Sequence, residues 1–178
     1  MHGNRPCWEW KLFMEFGKIA DWHLTDDRCL ILVDETNHRI VLQQPDGNTT
    51  SYGRKGSGPG QFHYPRGILV LGSLAYIVDS WNHRVQVFNL PSMQYQLEFG
   101  GFGSGPGKFF CPCSITFSEP WIIVADTNNA RLSFHLPDGR FLFSSAVSGS
   151  QFPRKVRSTE GPIEVQYENG EWNRLEFI

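Results

Sequence analysis

Three short apolar segments of this chain recur at nearly constant spacing, and each one ends at an aspartate. The segments are LILVD, AYIVD and WIIVAD, and their aspartates are Asp34, Asp79 and Asp126. The intervals between these aspartates are 45 and 47 residues, and an asparagine follows each aspartate three positions later. A related loop, GSGPG, occurs twice and begins at Gly56 and at Gly103. A fixed period of this length indicates a tandem array with three clear units.

The residue pattern within one unit predicts the fold class. Apolar and polar residues alternate in VQVF and QLEF, and the unit reads as four short strands, GILVL, AYIVD, RVQVF and YQLEF, separated by turn residues. No segment shows a sustained helical period. A period of about 40 to 50 residues that holds four antiparallel strands is typical of a propeller blade, a small sheet whose faces need neighbouring blades to cover them. We therefore predict an all-β propeller with about three whole four-stranded blades and one composite or partial blade.

The best-defined unit resembles a known repeat. Its segments GSGPGQFHYPRGI and VDSWNHRVQVF look like the NHL repeat, and VDETNHRIVL in the preceding unit is similar. The third unit, ADTNNARL, keeps the aspartate, asparagine and arginine but has Ala130 in place of the histidine. The resemblance covers about residues 10 to 145. It implies an NHL-type β-propeller, and because that family usually closes with six blades, it also implies that part of a larger ring is missing here.

The two ends of the chain suggest how an incomplete array closes. We predict one domain over residues 1–178, with units at about 18–62, 63–109 and 110–150. Residues 8–17 match the outermost strand of a unit, whereas residues 161–178 fit the inner two strands, with a hairpin turn at Asn169-Gly170. These two segments are expected to form a shared blade that hides sheet edges. The alternatives are a small closed ring, a self-associating arc, or a piece of a longer propeller.

The composition restricts the classes of partner. The chain has 178 residues, with 16 basic and 18 acidic side chains, and its formal net charge of −2 does not favour a polyanion or a membrane. The sequence has no long apolar run and no signal peptide, so we expect a cytoplasmic protein. The four cysteines are predicted to be reduced thiols, because Cys111-Pro-Cys113 is too closely spaced for a zinc knuckle. No metal and no cofactor are expected.

Strand direction places the loops between blades and the turn after each second strand on one side of the ring, since antiparallel strands alternate. We predict that this side binds a protein partner and that Trp81, Tyr64 and Arg66 form its centre. The simpler alternative for Trp81 is that its indole packs over the adjacent blade. The predicted binding residues are Arg54, Lys55, His63, Tyr64, Arg66, Trp81, His83, Lys108, Phe110 and Asn128.

The recurring Asp-x-x-Asn-x-Arg motif is predicted to be structural, because no single ligand could contact three separate units equivalently. Aspartate and asparagine would hold the turn, and arginine would reach the adjoining blade. The motif residues are Asp34, Asn37, Arg39, Asp79, Asn82, Arg84, Asp126, Asn129 and Arg131. No catalytic residue is assigned, since the sequence has neither a nucleophile elbow nor a phosphate loop that leads into a helix.

Two other functions stay open. Resemblance to RNA-binding members of the family implies a basic ring with aromatic stacking, and the residues for it would be Arg54, Lys55, Arg66, Lys108, Arg154, Lys155 and Arg157. Resemblance to the lyase branch implies a metal or acid–base centre that uses His38 and His83. A catalytic zinc ion needs three protein ligands at one place, and Ala130 interrupts the ring of histidines. The leading hypothesis is therefore a non-catalytic binding scaffold.

Overall fold

The computed structural model describes residues 16–147, 152–158 and 162–175. They form four small antiparallel sheets, or blades, that follow one another along the chain. Blade 1 contains β1 (Ile19–Leu24), β2 (Leu30–Asp34), β3 (Arg39–Gln43) and β4 (Thr49–Tyr52). Blade 2 contains β5 (Pro65–Leu71), β6 (Leu74–Asp79), β7 (Arg84–Asn89) and β8 (Gln94–Gly100). Blade 3 contains β9 (Ser114–Ser118), β10 (Trp121–Asp126), β11 (Arg131–His135) and β12 (Phe141–Ala146). Blade 4 contains β13 (Pro153–Ser158), β14 (Ile163–Tyr167) and β15 (Trp172–Leu175).

The blades form a ring, which confirms the predicted propeller. The first strand of each blade, β1, β5, β9 or β13, is innermost, and residues at all four of these strands line one central cavity of about 700 Å³. Blades 2 and 3 each carry a short 3₁₀ turn between their second and third strands, at Ser80–Asn82 and Thr127–Asn129. No helix in the described part of the chain has the length and apolarity needed to cross a lipid bilayer.

The hydrophobic core lies between neighbouring blades. Ile31 of blade 1 belongs to the same buried cluster as Ile77 of blade 2, and Tyr76 of blade 2 shares a cluster with Ile122 of blade 3. A third cluster joins Phe134 in blade 3 to residues of blade 4. Successive residues such as Tyr76 and Ile77 therefore pack on opposite faces of one sheet, as expected for a blade that is covered on both sides.

The fourth blade differs from the predicted arrangement. Its innermost strand is β13, which follows blade 3 directly and packs beside β9. The segment 161–178, predicted to supply the inner two strands, supplies the second and third strands instead, with a turn at Asn169-Gly170. Residues 8–17, the predicted outer strand, lie outside the described residues except for Phe16 and Gly17.

Candidate functional site

In blades 2 and 3 the turn packs on the loop that enters the same blade. In blade 2 the Trp81 backbone N–H donates to the His63 carbonyl at 3.0 Å, and Asn82 Nδ2 donates to the Gly56 carbonyl at 2.8 Å. In blade 3 the Asn128 N–H donates to the Phe110 carbonyl at 3.0 Å. Loops and turns therefore share one side of the ring. We call this side the loop face, and it comprises loops 53–64 and 100–111 with turns 80–83 and 127–130.

The second-strand aspartate organises this packing. Asp79 is fully buried, and its Oδ1 accepts the His63 N–H at 2.7 Å. Its Oδ2 accepts hydrogen bonds from Asn82 Nδ2 at 2.8 Å and Arg84 Nε at 2.9 Å. Burial raises the pKa of Asp79, and the hydrogen bond from the His63 N–H is the largest of the effects that oppose this shift. One carboxylate thus holds the turn, the incoming loop and the third strand together.

Blades 1 and 3 repeat this network with small differences. Asp126 Oδ1 accepts the Phe110 N–H at 2.7 Å, and its Oδ2 accepts Asn129 Nδ2 at 2.8 Å and Arg131 Nε at 2.7 Å. In blade 1, Asp34 Oδ2 accepts Asn37 Nδ2 and Arg39 Nε, both at 2.9 Å.

In blades 2 and 3 the motif arginine contacts the loop that enters its own blade, and not the adjoining blade as predicted. Arg84 Nη2 donates to the carbonyl groups of Gly58 and Gln61 at 2.9 and 3.1 Å. Arg131 Nη2 donates to the Lys108 carbonyl at 2.7 Å. These hydrogen bonds satisfy carbonyl groups of a glycine-rich loop and hold the loop backbone in place.

The histidine after the turn of blade 1 and of blade 2 connects two neighbouring blades. His38 Nδ1 accepts the Tyr64 N–H at 3.0 Å, and His83 Nδ1 accepts the Cys111 N–H at 3.1 Å. Both histidines have left-handed backbones, with φ of 56° and 58°, and Ala130 adopts the same conformation in blade 3. Burial lowers the pKa of both imidazoles. The acceptor role requires an unprotonated Nδ1, so the neutral ring is the form that fits this geometry.

Aromatic side chains gather where the turn of blade 2 meets its incoming loop. The Trp81 ring lies 5.3 Å from the His63 ring and 5.0 Å from the Tyr64 ring, measured between centroids. His38 completes this group from blade 1, at 4.6 Å from the Tyr64 ring. The Trp81 side chain is 50% exposed although it packs against the loop. The Trp81 ring therefore packs against ordered residues of the loop and still exposes half its surface to solvent.

A second aromatic group lies on the other side of the same turn. The His83 ring is 5.0 Å from Phe102 and 5.8 Å from Phe110, and the two phenylalanine rings are 5.4 Å apart. Phe102 is 69% exposed and Phe110 is 38% exposed. Sequence analysis did not identify Phe102. The signal for it was an aromatic residue inside a glycine-rich loop, at the position that Lys55 occupies in the other copy of the loop.

The predicted basic residues separate into two groups. Arg54, Lys55 and Lys108 are exposed on the loop face, and Lys108 Nζ donates to the Gly100 carbonyl at 3.1 Å. Arg66, which we expected beside Trp81 and Tyr64, lies instead on the wall of the central cavity. Asn128 is exposed in the turn of blade 3.

The remaining basic residues, which entered the RNA hypothesis, lie on β13 and also line the central cavity. Arg154 pairs with Glu168 at 2.5 Å, and Arg157 pairs with Glu164 at 2.7 Å. The Arg157 guanidinium also stacks 4.1 Å from the centroid of the Trp172 ring. These cations therefore belong to the cavity and not to the aromatic part of the loop face.

The described residues contain no group of three or more histidine, cysteine or acidic side chains that could hold a metal ion. His38 and His83 each use Nδ1 to accept a backbone N–H. The cysteines Cys29, Cys111 and Cys113 are free thiols, and Cys7 lies outside the described residues.

Comparisons with known proteins support the propeller and its repeat type. No protein-family model matches the chain. It is 39% identical over 76 residues to RING finger protein nhl-1 of Caenorhabditis elegans, a match that covers 42% of this chain and 8% of that protein. The chain therefore spans a small part of this relative's length. Together with the four-bladed ring, this match confirms the predicted resemblance to an NHL-repeat propeller.

Similar solved structures share the fold at low sequence identity. A catalytically inactive virginiamycin B lyase from Staphylococcus aureus with quinupristin superposes with a TM-score of 0.66 at 12% identity, over 92% of this chain and 57% of that one. The Pan2 WD40 domain of Neurospora crassa gives 0.67 at 12% identity, over 90% of this chain and 47% of that one. The computationally designed Ika4 protein gives 0.65 at 8% identity, over 89% and 91%. At these identities the likeness concerns the fold.

Proposed function

We propose that this chain is a non-catalytic interaction scaffold whose loop face binds a protein partner. The observation that carries the proposal is the pair of adjacent aromatic groups around the turn of blade 2, from which Trp81, Phe102 and Phe110 protrude with 50%, 69% and 38% of their surfaces exposed. Large aromatic side chains are the residues that most often dominate the binding free energy of protein interfaces. Three of them on one face form an apolar patch suited to a partner.

The rigidity of this face supports tight binding. The Trp81 backbone is held by the His63 carbonyl, and the backbones of Tyr64 and Cys111 are held by imidazole acceptors of the neighbouring blade. A surface that is already ordered loses little conformational entropy when a partner binds. The aromatic groups therefore present a preformed surface.

Charge near the aromatic groups indicates the chemistry of the partner. Arg54, Lys55 and Lys108 are exposed on this side, whereas Asp79 and Asp126 are fully buried. The accessible charge of the loop face is therefore mainly positive. We propose a partner segment with apolar side chains flanked by acidic ones, because complementary charge aids both encounter and orientation.

Pull-down from a cell extract, with bound proteins and bound RNA both identified, tests this proposal. We expect the double variant Trp81→Ala with Phe102→Ala to lose the protein partners that the wild type captures. Trp22→Ala is the matched control, since Trp22 is 61% exposed but lies on the inner strand β1. Equal recovery of the same proteins by the wild type and the double variant would rule out the aromatic groups as the binding surface.

The two alternative functions make different predictions in the same assays. RNA bound through Arg54, Lys55 and Lys108 would be released steeply as salt rises, because each phosphate contact displaces condensed counterions. A lyase-like activity at His38 and His83 would require a stoichiometric metal, which elemental analysis of the purified protein detects. A protein-binding scaffold predicts neither RNA in the pull-down nor a bound metal.

A further inference from the structure

The innermost strands carry one distinctive residue each at the loop-face end of the central cavity. Irregular pairing of the inner with the second strand leaves one residue unpaired in blades 1, 2 and 4, and these residues are Ala20, Arg66 and Arg154. Cys113 has the same place in blade 3, since it follows Pro112 as Arg66 follows Pro65. All four residues line the cavity. We call Ala20, Arg66, Cys113 and Arg154 the bulge layer.

One guanidinium group of this layer contacts a thiol, and a second lines the same cavity. Arg66 belongs to blade 2 and Arg154 to blade 4, which lie opposite each other in a ring of four, and Cys113 lies between them in blade 3. Arg66 Nη1 donates to Cys113 Sγ at 3.3 Å, and Arg154 lines the same cavity. Ala20 occupies the fourth side, where its small side chain leaves space.

The hydrogen-bonding capacity of these arginines is only partly used by acids. Arg66 Nε donates to Glu35 at 2.9 Å, and Glu35 also pairs with Lys18 at 2.7 Å. Arg154 Nη2 donates to Glu168 at 2.5 Å. A guanidinium has five N–H donors, and a thiol is a weak acceptor. Arg66 therefore spends a donor on sulfur in a cavity that Arg154 also lines, and an anionic oxygen there would be a much better partner for both guanidinium groups.

The cavity behind this layer has room for a ligand with an apolar body. Its volume of about 700 Å³ lies in the range typical of small-molecule sites. Below the bulge layer its wall contains Ile68, Ile115 and Val156, three aliphatic side chains from three different blades. The charged side chains of Asp21, Lys155 and Arg157 also line the cavity, so it is complementary to a small organic molecule with an anionic group and a partly apolar body.

We propose that the bulge layer is an oxyanion-binding site, in which Arg66 and Arg154 hold a carboxylate or phosphate group at the position now bounded by Cys113 and Ala20. This site is separate from the aromatic groups of the loop face. Its ligand is a small molecule with a carboxylate or a phosphate.

The test uses inorganic phosphate and succinate as probes, each compared with sodium chloride at equal ionic strength. Thermal unfolding and isothermal titration calorimetry measure the response of the purified chain. We expect a saturable rise in the unfolding temperature with at least one probe. A response to phosphate alone assigns a phosphate ligand, a response to succinate alone assigns a carboxylate, and a response to both assigns a general oxyanion site. No saturable response to either probe overturns the proposal.

Variants separate this site from other cations. Arg154→Gln should weaken probe binding by roughly tenfold or more, because it removes charged hydrogen bonds. Arg140→Gln, at an exposed arginine outside the cavity, should leave binding unchanged. Cys113→Asp provides an internal carboxylate for the same donors, so it should abolish the response while circular dichroism still reports a folded propeller. If Arg154→Gln and Cys113→Asp both bind the probes with the affinity of the wild type, the proposal is wrong. If Arg154→Gln does not fold, the probe affinity of Cys113→Asp alone tests the proposal.

Discussion

The imidazole of His83 accepts the backbone N–H of Cys111 through Nδ1 at 3.1 Å, and this bond joins the turn of blade 2 to the loop that enters blade 3. His38 and Tyr64 form the equivalent bond between blades 1 and 2, at 3.0 Å. Each histidine thus satisfies a backbone donor that belongs to the neighbouring blade. Blade 3 has Ala130 at this position, so the junction between blades 3 and 4 lacks an imidazole.

We predict that His83→Ala lowers the free energy of unfolding by about 1–2 kcal/mol, since it leaves the partly buried Cys111 N–H without its acceptor. The backbone conformation tolerates alanine, as Ala130 adopts φ of 50° at the equivalent position. Urea unfolding measures the change. Asn128→Ala, at an exposed turn position, is the control and should stay within about 0.5 kcal/mol of the wild type. An unchanged stability of His83→Ala would show that water replaces the imidazole.

Stability should also decrease as the pH falls below the ordinary histidine pKa of about 6.5. Burial lowers the pKa of His38 and His83 in the folded protein, and for His38 the nearby His63 and Lys55 contribute to the shift. The unfolded chain therefore binds protons first, so the stabilisation is complete above about pH 6.5 and is lost as the pH falls toward the depressed folded-state values.

Urea unfolding at several pH values between 5 and 8 measures this effect. The unfolding free energy of the double variant His38→Ala with His83→Ala should depend less on pH than that of the wild type. Parallel pH profiles for the wild type and the double variant would assign the pH dependence to other groups, of which His135 is the foremost, since burial lowers its pKa too.

The sequence was sufficient to predict the propeller because the same constraint appears three times. A single Asp-x-x-Asn motif is weak evidence, but its recurrence every 45 to 47 residues excludes a chance match. The loop face followed from strand direction alone, because loops and turns at the same end of antiparallel strands must share a side. The repeat and the strand topology could therefore be predicted from the sequence without knowledge of the tertiary contacts.

The position of Arg66 was not predictable in this way. Arg66 follows Tyr64 closely in sequence, and simple proximity suggested a common surface. The irregular pairing between Pro65 and Gly67 directs the intervening residue toward the ring centre, and such a bulge has no reliable sequence signature. For a similar reason Pro153–Ser158 was not recognised as an inner strand: its buried positions, Pro153 and Val156, are interrupted by charged residues that face the cavity.

Gly100→Ala should be strongly destabilising, by about 3 kcal/mol or more, because it combines backbone strain with overpacking. Gly100 has φ of 114°, and an added Cβ would lie 2.5 Å from the Phe109 ring and 2.9 Å from the His83 carbonyl oxygen. Gly47→Ala is the matched control, since Gly47 has φ of 88° but no atom within 4 Å of its added Cβ. That variant should lose only about 1–2 kcal/mol from backbone strain. Equal losses measured by urea unfolding would mean that the Phe109 ring moves aside at no cost.

Asp79→Ala should cost about 3–5 kcal/mol, since it removes the buried carboxylate that pairs with Arg84 at 2.9 Å and leaves that buried arginine with the partly exposed Glu98 as its remaining carboxylate. The same substitution at the exposed Asp46 should have little effect. Thermal unfolding of the two variants tests the structural interpretation of the motif. A small loss for Asp79→Ala, together with lost partner binding, would instead favour a functional role for this residue.

The last prediction concerns the outer edge of blade 4, where β15 has no hydrogen-bonded strand on its far side among the described residues. Met14-Glu15-Phe16-Gly17 resembles Leu97-Glu98-Phe99-Gly100 at the end of the outer strand β8. Because each outer strand leads into the inner strand of the next blade, a segment that precedes β1 is expected to be the fourth strand of blade 4.

Deletion of residues 1–15 should therefore expose the β15 edge, lower the unfolding temperature by about 5 °C or more, and promote self-association that light scattering detects. Deletion of residues 1–7 alone is the control, because it removes none of the predicted strand at 8–17. If the two deletion variants have the same unfolding temperature and both remain monomeric, residues 8–15 do not close the ring, and the edge of blade 4 is protected in another way.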